Sequence, residues 1–397
     1  MLTRRKAHVL EDEWKLVLKS LLGDSNRFLQ YIDEWEREFA RYLGVKYAVA
    51  VNSGRGGMEN ILKSFHLEPG DEIIIPAYTL KDLISVIRTM RLVPIPADIN
   101  PNTFNIDPDS VVKRITKKTK LILATHMFGT PCDIDEILKI AKNKSIYVIE
   151  DCAHSAGSRF KDKITGSFGD AAFYSFESMK PINTYGGGMV VTNNEDLFLR
   201  VRKYSGEYKY RSFLPKEKIF VAFLERFISS TSISLPILSL LSCEWSNKKI
   251  SNLYRLIQRP PSFMTSYTDF QASIGLKKIK TLDERIAIRQ EKAGLFKQLL
   301  KGILMSQEIG KDVFPNYYFF VGLVSKNNIW RLRKRLLRYG IDAGIEAEIT
   351  DDCGDLLGWD DCPNTKKVFK SAIQLPLHEG ISIKHIYMMA RVIKKIL

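Results

Sequence analysis

Short apolar runs alternate along this chain with stretches in which apolar residues return every three or four positions. The first helical stretch, residues 27–43 (RFLQYIDEWEREFARYL), stops at Gly44, a residue suited to the left-handed turn that closes a helix. Strand-like runs follow at Tyr47–Val51, Glu72–Pro76, 93–98, Thr119–Thr125 and 146–149. Helical segments between them start at Met58, run up to Met90, and extend from Asp133 towards Lys142. Runs this apolar leave no polar face for water, so they predict strands covered on both sides. The alternation predicts an α/β fold, a mainly parallel sheet between helical layers, with ligands beyond the strands' carboxyl ends.

Candidate chemistry gathers in residues 147–192. The run Ile146-Tyr147-Val148-Ile149 ends in Glu150-Asp151, which delivers the Asp151 carboxylate to a strand's carboxyl end. A second run at 171–176 leads to Lys180 and a turn of Gly186, Gly187 and Gly188. Earlier, the strand at Tyr47–Val51 enters Asn52-Ser53-Gly54-Arg55-Gly56-Gly57, where a helix N-terminus presents backbone N–H groups that favour a phosphate. Arg55 adds a guanidinium able to grip phosphate in fork geometry; the plainer reading is a tight βα turn. Asp151, His126 and the 53–57 turn all fall at predicted carboxyl ends, which points to one shared site. A carboxylate and a lysine on neighbouring strand ends suit pyridoxal phosphate, whose aldehyde forms a Schiff base with a lysine and whose ring nitrogen needs an acidic partner. Taken singly, such an aspartate is a helix cap and such a lysine a solvated charge. The ordered set carries the weight.

EDCAHSAG, then SFESMK, then GGGMVVT resemble the motifs of the DegT/DnrJ/StrS family of sugar aminotransferases. PNTFNID, TDFQASIGLKKIKTLDE and SAIQLPLHEGIS extend the resemblance over about residues 30–204 and 265–397. It implies the transferase fold type I: a large domain with a seven-stranded, mainly parallel sheet, and a smaller α+β C-terminal domain. By the same resemblance Lys180 is the Schiff-base lysine, Asp151 the partner of the ring nitrogen, and His154 lies against the ring or its 3-oxygen. Ser175 is then a phosphate ligand, beside Gly54, Arg55 and Gly56. The chain also departs from the family pattern. Arg55 stands for the threonine of SGTxAL, Gly186 for the acidic residue of GEGG, and SFMTS for the GYNYR that carries a phosphate-reaching asparagine. Leu80 stands where an aromatic ring stacks on the cofactor; Tyr78 either compensates or belongs to the wall or core. The loop EAEITDDCGDLLGW replaces the usual histidine loop of the acceptor site, and His378 reads as structural.

The implied organisation is an N-terminal segment (1–30), a large domain (31–204), an insertion (205–262) and an interdomain helix with the smaller domain (263–397). The implied activity moves an amino group from an amino acid, glutamate first, to a keto-sugar that is nucleotide-linked or lipid-linked, in a homodimer. Dehydratase or epimerase chemistry on the same fold is the enzymatic alternative, and retention of Lys180 favours transamination. A non-catalytic regulatory protein is the alternative outside enzymology.

Composition and charge narrow the picture further. The 397 residues, 45% hydrophobic and 26% charged, suffice for two domains with a large core. A net charge of +15 and a pI near 9.4 suit anionic substrates or a membrane surface, and no nucleic-acid-binding motif accompanies them. Residues 227–243 carry no charge and are flanked by Lys216, Lys218, Lys248, Lys249 and Arg255. That stretch falls short of the roughly 20 apolar residues a spanning helix needs. It suits peripheral membrane contact through 216–249, or else a buried helical hairpin at a subunit interface. Five scattered cysteines without a CxxC pair predict a reducing compartment, no disulfide framework and no metal site. The opening MLTRRKAHVLEDEW has no apolar signal core, so the expected location is the cytoplasm, with contact to the inner face of the membrane.

Overall fold

The computed structural model describes residues 2–4, 6–21, 31–207, 266–324 and 329–397. Most of the 205–262 insertion, with the uncharged 227–243 stretch and its basic flanks, lies outside the described residues. Helices α1 (Glu13–Leu21) and α2 (Tyr31–Leu43) precede the sheet, and Gly44 closes α2 at φ +72°.

Seven strands build the large sheet: β1 (Tyr47–Val51), β2 (Glu72–Pro76), β3 (Val93–Ala97), β4 (Thr119–Thr125), β5 (Tyr147–Asp151), β6 (Ala171–Ser175) and β7 (Gly188–Thr192). Their order is β1-β7-β6-β5-β4-β2-β3, and β7 alone runs antiparallel to its neighbours, as a mainly parallel sheet requires. Alternate side chains enter opposite cores, which is why each strand is apolar at nearly every position. On β6, Ala172 and Tyr174 join Trp35 and Phe39 of α2, while Ala171 and Phe173 join the core under α3 (Gly54–Ser64) and α4 (Asp82–Thr89). On β2, Ile73 and Ile75 face that second core, and Ile74 turns to Ile137 of α6 (Ile134–Lys144), the helix after α5 (Pro108–Arg114).

Polar caps set the helix starts. Asp133 caps α6, as its place before the apolar pattern predicts, and Asn194 caps α7 (Glu195–Gly206). Helix α3 begins four residues before the expected Met58. Ser53 accepts the Gly56 N–H at 3.0 Å and starts the helix inside the glycine turn, where no apolar periodicity marks it.

Helices α8 (Asp269–Ile279), which opens on a Thr268–Gln271 capping box, and α9 (Leu282–Leu299) lead to the small domain. There β8 (Met305–Ser306), β9 (Phe320–Leu323), β10 (Gly344–Ile345) and β11 (Ala372–Leu375) pair antiparallel in the order β8-β9-β11-β10. Their core is closed by α10 (Ile329–Arg338) and α13 (Ile383–Ile396), an α+β arrangement as expected. Between these come α11 (Cys353–Leu357) and α12 (Pro363–Ser371). A short antiparallel pairing of Thr79 with Asp351 and Tyr78 with Asp352 ties the small domain to the large one. Among the described residues no helix is long and apolar enough to cross a membrane.

Candidate active site

The parallel strands β5 and β6 bring their carboxyl ends together, with Asp151 opposite Phe173. Asp151 is buried, and its Oδ1 accepts the Ala153 N–H at 2.9 Å. Burial pushes its carboxyl above the usual carboxylate range, and the Ala153 N–H and the Lys180 charge draw it partway back. Lys180 therefore lies within the electrostatic reach of Asp151, as the spacing of the motifs requires.

Beyond β6 the chain turns through residues 177–187 before β7. The Lys180 N–H bonds the Glu177 carbonyl at 2.9 Å, and Thr184 and Gly186 both donate to the Phe176 carbonyl. The Lys180 ammonium lies 4.9 Å from the ring centre of Tyr318, and His154 stacks on that same ring at 4.6 Å. Asn316 fixes this contact: its Nδ2 donates to the His154 and Ala156 carbonyls at 2.9 Å, and its Oδ1 accepts the Tyr318 N–H at 2.8 Å.

Ser175, the last residue of β6, pairs with Gly188 of β7. A Cβ placed on Gly54 would sit 3.1 Å from the Ser175 Cβ, so β6 and the first turn of α3 are in direct contact. The Gly56 N–H is already given to Ser53, leaving Gly54 and Arg55 as the first-turn N–H groups without an intrahelical acceptor. Arg55 is half-buried and meets Asp82 at 3.6 Å. Tyr78 is fully buried, edge-on to Phe128 at 6.0 Å, in a core cluster with Ile99, Phe104 and Met127. Leu80 follows it, half-buried, just before α4.

His126 stands at a strand's carboxyl end but not in the shared site expected of it. Its ring is fully buried, with Nε2 3.0 Å from Glu150 and Nδ1 accepting the Cys132 N–H, which places the ring proton on Nε2. Glu150 in turn takes the N–H groups of Gly166, Phe168 and Gly169 at 2.7–2.8 Å. The buried trio His126, Glu150 and Cys152 has its donor atoms close enough for a metal ion. Both oxygens of Glu150 are, however, already filled by hydrogen bonds, and the trio acts as a structural knot under the site. Glu150, Asn316 and Tyr318 went unmarked in the sequence; only the aromatic run beside Asn316 hints at the last two.

The model of the DegT/DnrJ/EryC1/StrS aminotransferase family matches residues 10–396. The chain is 27% identical to the spore coat polysaccharide biosynthesis protein SpsC of Bacillus subtilis, over 88% of this chain and 85% of that protein. It is 30% identical to a GDP-perosamine synthase of Escherichia coli O157:H7, over 72% of this chain and 68% of that protein. Among solved structures its fold is like that of Helicobacter pylori PseC, an aminotransferase of pseudoaminic acid biosynthesis, at a TM-score of 0.78 and 18% identity. That likeness covers 99% of this chain and 98% of the other. The match along nearly the whole length means that the chain belongs to the DegT/DnrJ/EryC1/StrS aminotransferase family.

Proposed function

We propose that this sugar aminotransferase moves an amino group from glutamate to a nucleotide-linked keto-sugar, using pyridoxal phosphate held by Lys180 and Asp151. The observation that carries the reading is the buried Asp151 carboxyl in the field of the Lys180 ammonium. Burial makes a lone anion at Asp151 costly, and among the described residues no protein donor reaches its Oδ2. A protonated ring nitrogen would supply the missing partner, so the residues fit the group. When bound, pyridoxal phosphate supplies an electron sink for charge developing at the donor's α-carbon.

The rest of the chemistry falls to the chain. Lys180 would hold the cofactor covalently, and its Nζ would move the proton at the donor's α-carbon. Asp151 keeps the proton on the ring nitrogen. His154, backed by Tyr318, walls one side of the ring and excludes water. Ser175 Oγ, the N–H groups of Gly54 and Arg55, and the Arg55 guanidinium hold the phosphate at the positive end of α3. Tyr78 and Leu80 line the remaining wall. The nucleotide-linked acceptor is supported by the name of the GDP-perosamine synthase relative. A homodimer completes the reading, and sedimentation at micromolar concentration checks it.

The test is spectroscopic and chemical. Purified protein is expected to absorb at about 410–430 nm, where lysine-linked pyridoxal absorbs, and Lys180→Ala to lose both that band and transfer from glutamate to a panel of nucleotide-linked keto-sugars. Full transfer by Lys180→Ala overturns the assignment.

A further inference from the structure

The turn that carries Lys180 is held from outside the sheet by a buried lysine inside the TDFQASIGLKKIKTLDE stretch. Lys278 of α8 is fully buried, and each of its three N–H donors has a partner: the His8 carbonyl at 2.9 Å, Glu13 Oε1 at 3.0 Å and Asn183 Oδ1 at 2.8 Å. Asn183, three residues after Lys180, also donates to the His8 carbonyl at 2.9 Å. Glu13 is fully buried, and its second oxygen accepts the Leu10 N–H at 2.8 Å. One residue of the turn, one helix and the N-terminal segment thus meet at a single ammonium.

Neighbouring contacts act in the same direction. Val17 of α1 packs against Tyr185 of the same turn, together with Phe270 and Ile274 of α8. Arg285 of α9 donates to the Pro181 carbonyl at 2.8 Å, and Lys277 pairs with Asp12 at 2.7 Å on the surface. The other end of the segment is fastened to the small domain. Leu2 exchanges hydrogen bonds with Gly340 and Asp342, and Arg4 meets Glu348 at 2.6 Å.

We infer that the N-terminal segment is a clip on the Lys180 turn, locked by the Glu13–Lys278 pair, and that Lys278 is a positioning residue for Lys180. The inference rests on Lys180 being the reacting lysine. Residues 181–185 contain no helix or strand of their own, so a fixed Lys180 depends on side chains that grip the turn from outside. Burial pulls the Lys278 pKa down to about 8 despite Glu13, so an ammonium persists there at neutral pH only with partners of this quality. An ordinary surface lysine would do nothing of the kind.

The test replaces both charges by apolar groups of similar size, Glu13→Leu with Lys278→Met, so that neither charge is left buried alone; the Leu10 N–H and Asn183 Oδ1 lose their partners, and exchange in β4 and β5 is the control for a general loss of stability. Amide hydrogen exchange in residues 181–187 is expected to quicken by about 10-fold while strands β4 and β5 keep their protection. The cofactor is expected to leave faster during dialysis against a carbonyl scavenger. Lys278→Arg, which keeps a cation opposite Glu13, is expected to stay within about threefold of the parent in both measurements. Unchanged exchange in the double variant, or an equal quickening across the sheet, overturns the clip. If the parent carries no lysine-linked cofactor, the exchange measurement still decides the clip and only the role of Lys180 falls.

Discussion

Replacing Glu150 by glutamine tests whether the knot beneath the site is as fixed as its hydrogen bonds indicate. The shape of the side chain is kept, so no cavity opens, and what changes is the number of acceptors. In the parent, Oε1 serves the N–H groups of Phe168 and Gly169, and Oε2 serves Gly166 and His126. A glutamine has one acceptor oxygen. Placed towards Phe168 and Gly169, it turns its NH2 group on two donors; His126 cannot yield by moving its proton, because Nδ1 already accepts the Cys132 N–H. Two buried donors lose their partner at about 1–3 kcal/mol each, a total of about 2–6 kcal/mol. That is a large part of the 5–15 kcal/mol that typically separates a folded domain from its unfolded chain. Urea unfolding followed by far-UV circular dichroism reads the loss as the fall in midpoint multiplied by the slope. A fall equivalent to less than about 1 kcal/mol would refute the reasoning, since one orphaned donor alone should cost that much.

Two further outcomes follow from the structure. Burial, with Arg285 and Lys278 beside it, lowers the His8 pKa to about 4, and burial lowers that of His378 to about 4. The unfolded chain, whose histidines titrate near 6.5, takes up these protons first on acidification. The stability they contribute is complete above about pH 6.5 and is lost as pH falls towards 4. Glu36, Asp151 and Asp170, raised by burial, act with the opposite sign, so the comparison is with His378→Gln: its thermal midpoint should fall less steeply over that window, and superimposed profiles would contradict the assignment. In Gly188→Ala, the new Cβ would lie 2.4 Å from the Tyr174 carbonyl oxygen and 2.9 Å from the Gly54 nitrogen, both backbone atoms that no rotamer change can move. A loss of about 1–3 kcal/mol is expected, with weakened retention of the cofactor phosphate; parent-like fluorescence titration with pyridoxal phosphate would contradict it.

The sheet was legible because both of its faces are covered. A strand such as β2 reads Ile73-Ile74-Ile75 without a polar interruption, and the helices between strands carry their own period. The nearness of Asp151 to Lys180 was legible because the motifs that carry them are local. The start of α3 was not, since Gly54, Gly56 and Gly57 replace the apolar positions a helix would show, and only the Ser53 cap marks it. Tyr318 and Asn316 reach the site from the small domain, and pairing across that distance leaves no periodic trace. Lys278 carries no periodic or local signal of burial beside Lys277; it is buried because the N-terminal segment folds back over it.

Glu150 and Asp151 show how little separates an acid whose oxygens are filled by the fold from one left open to a ligand. They are adjacent carboxylic acids, both buried, and nothing in the pair EDC ranks one above the other. The strand's period of two does the sorting, for Glu150 lies opposite Ala172 and Asp151 opposite Phe173, on opposite faces of the sheet. Glu150 is thereby turned to the 166–169 loop, whose N–H groups and His126 fill both of its oxygens. Asp151 is turned to the face where α3 begins, and only one of its oxygens finds a backbone donor. The carboxylate that the fold leaves incompletely satisfied is the one able to take a new partner. A slip of one residue in the β5 register would exchange the two environments, turning Glu150 towards Lys180 and Asp151 towards the 166–169 loop.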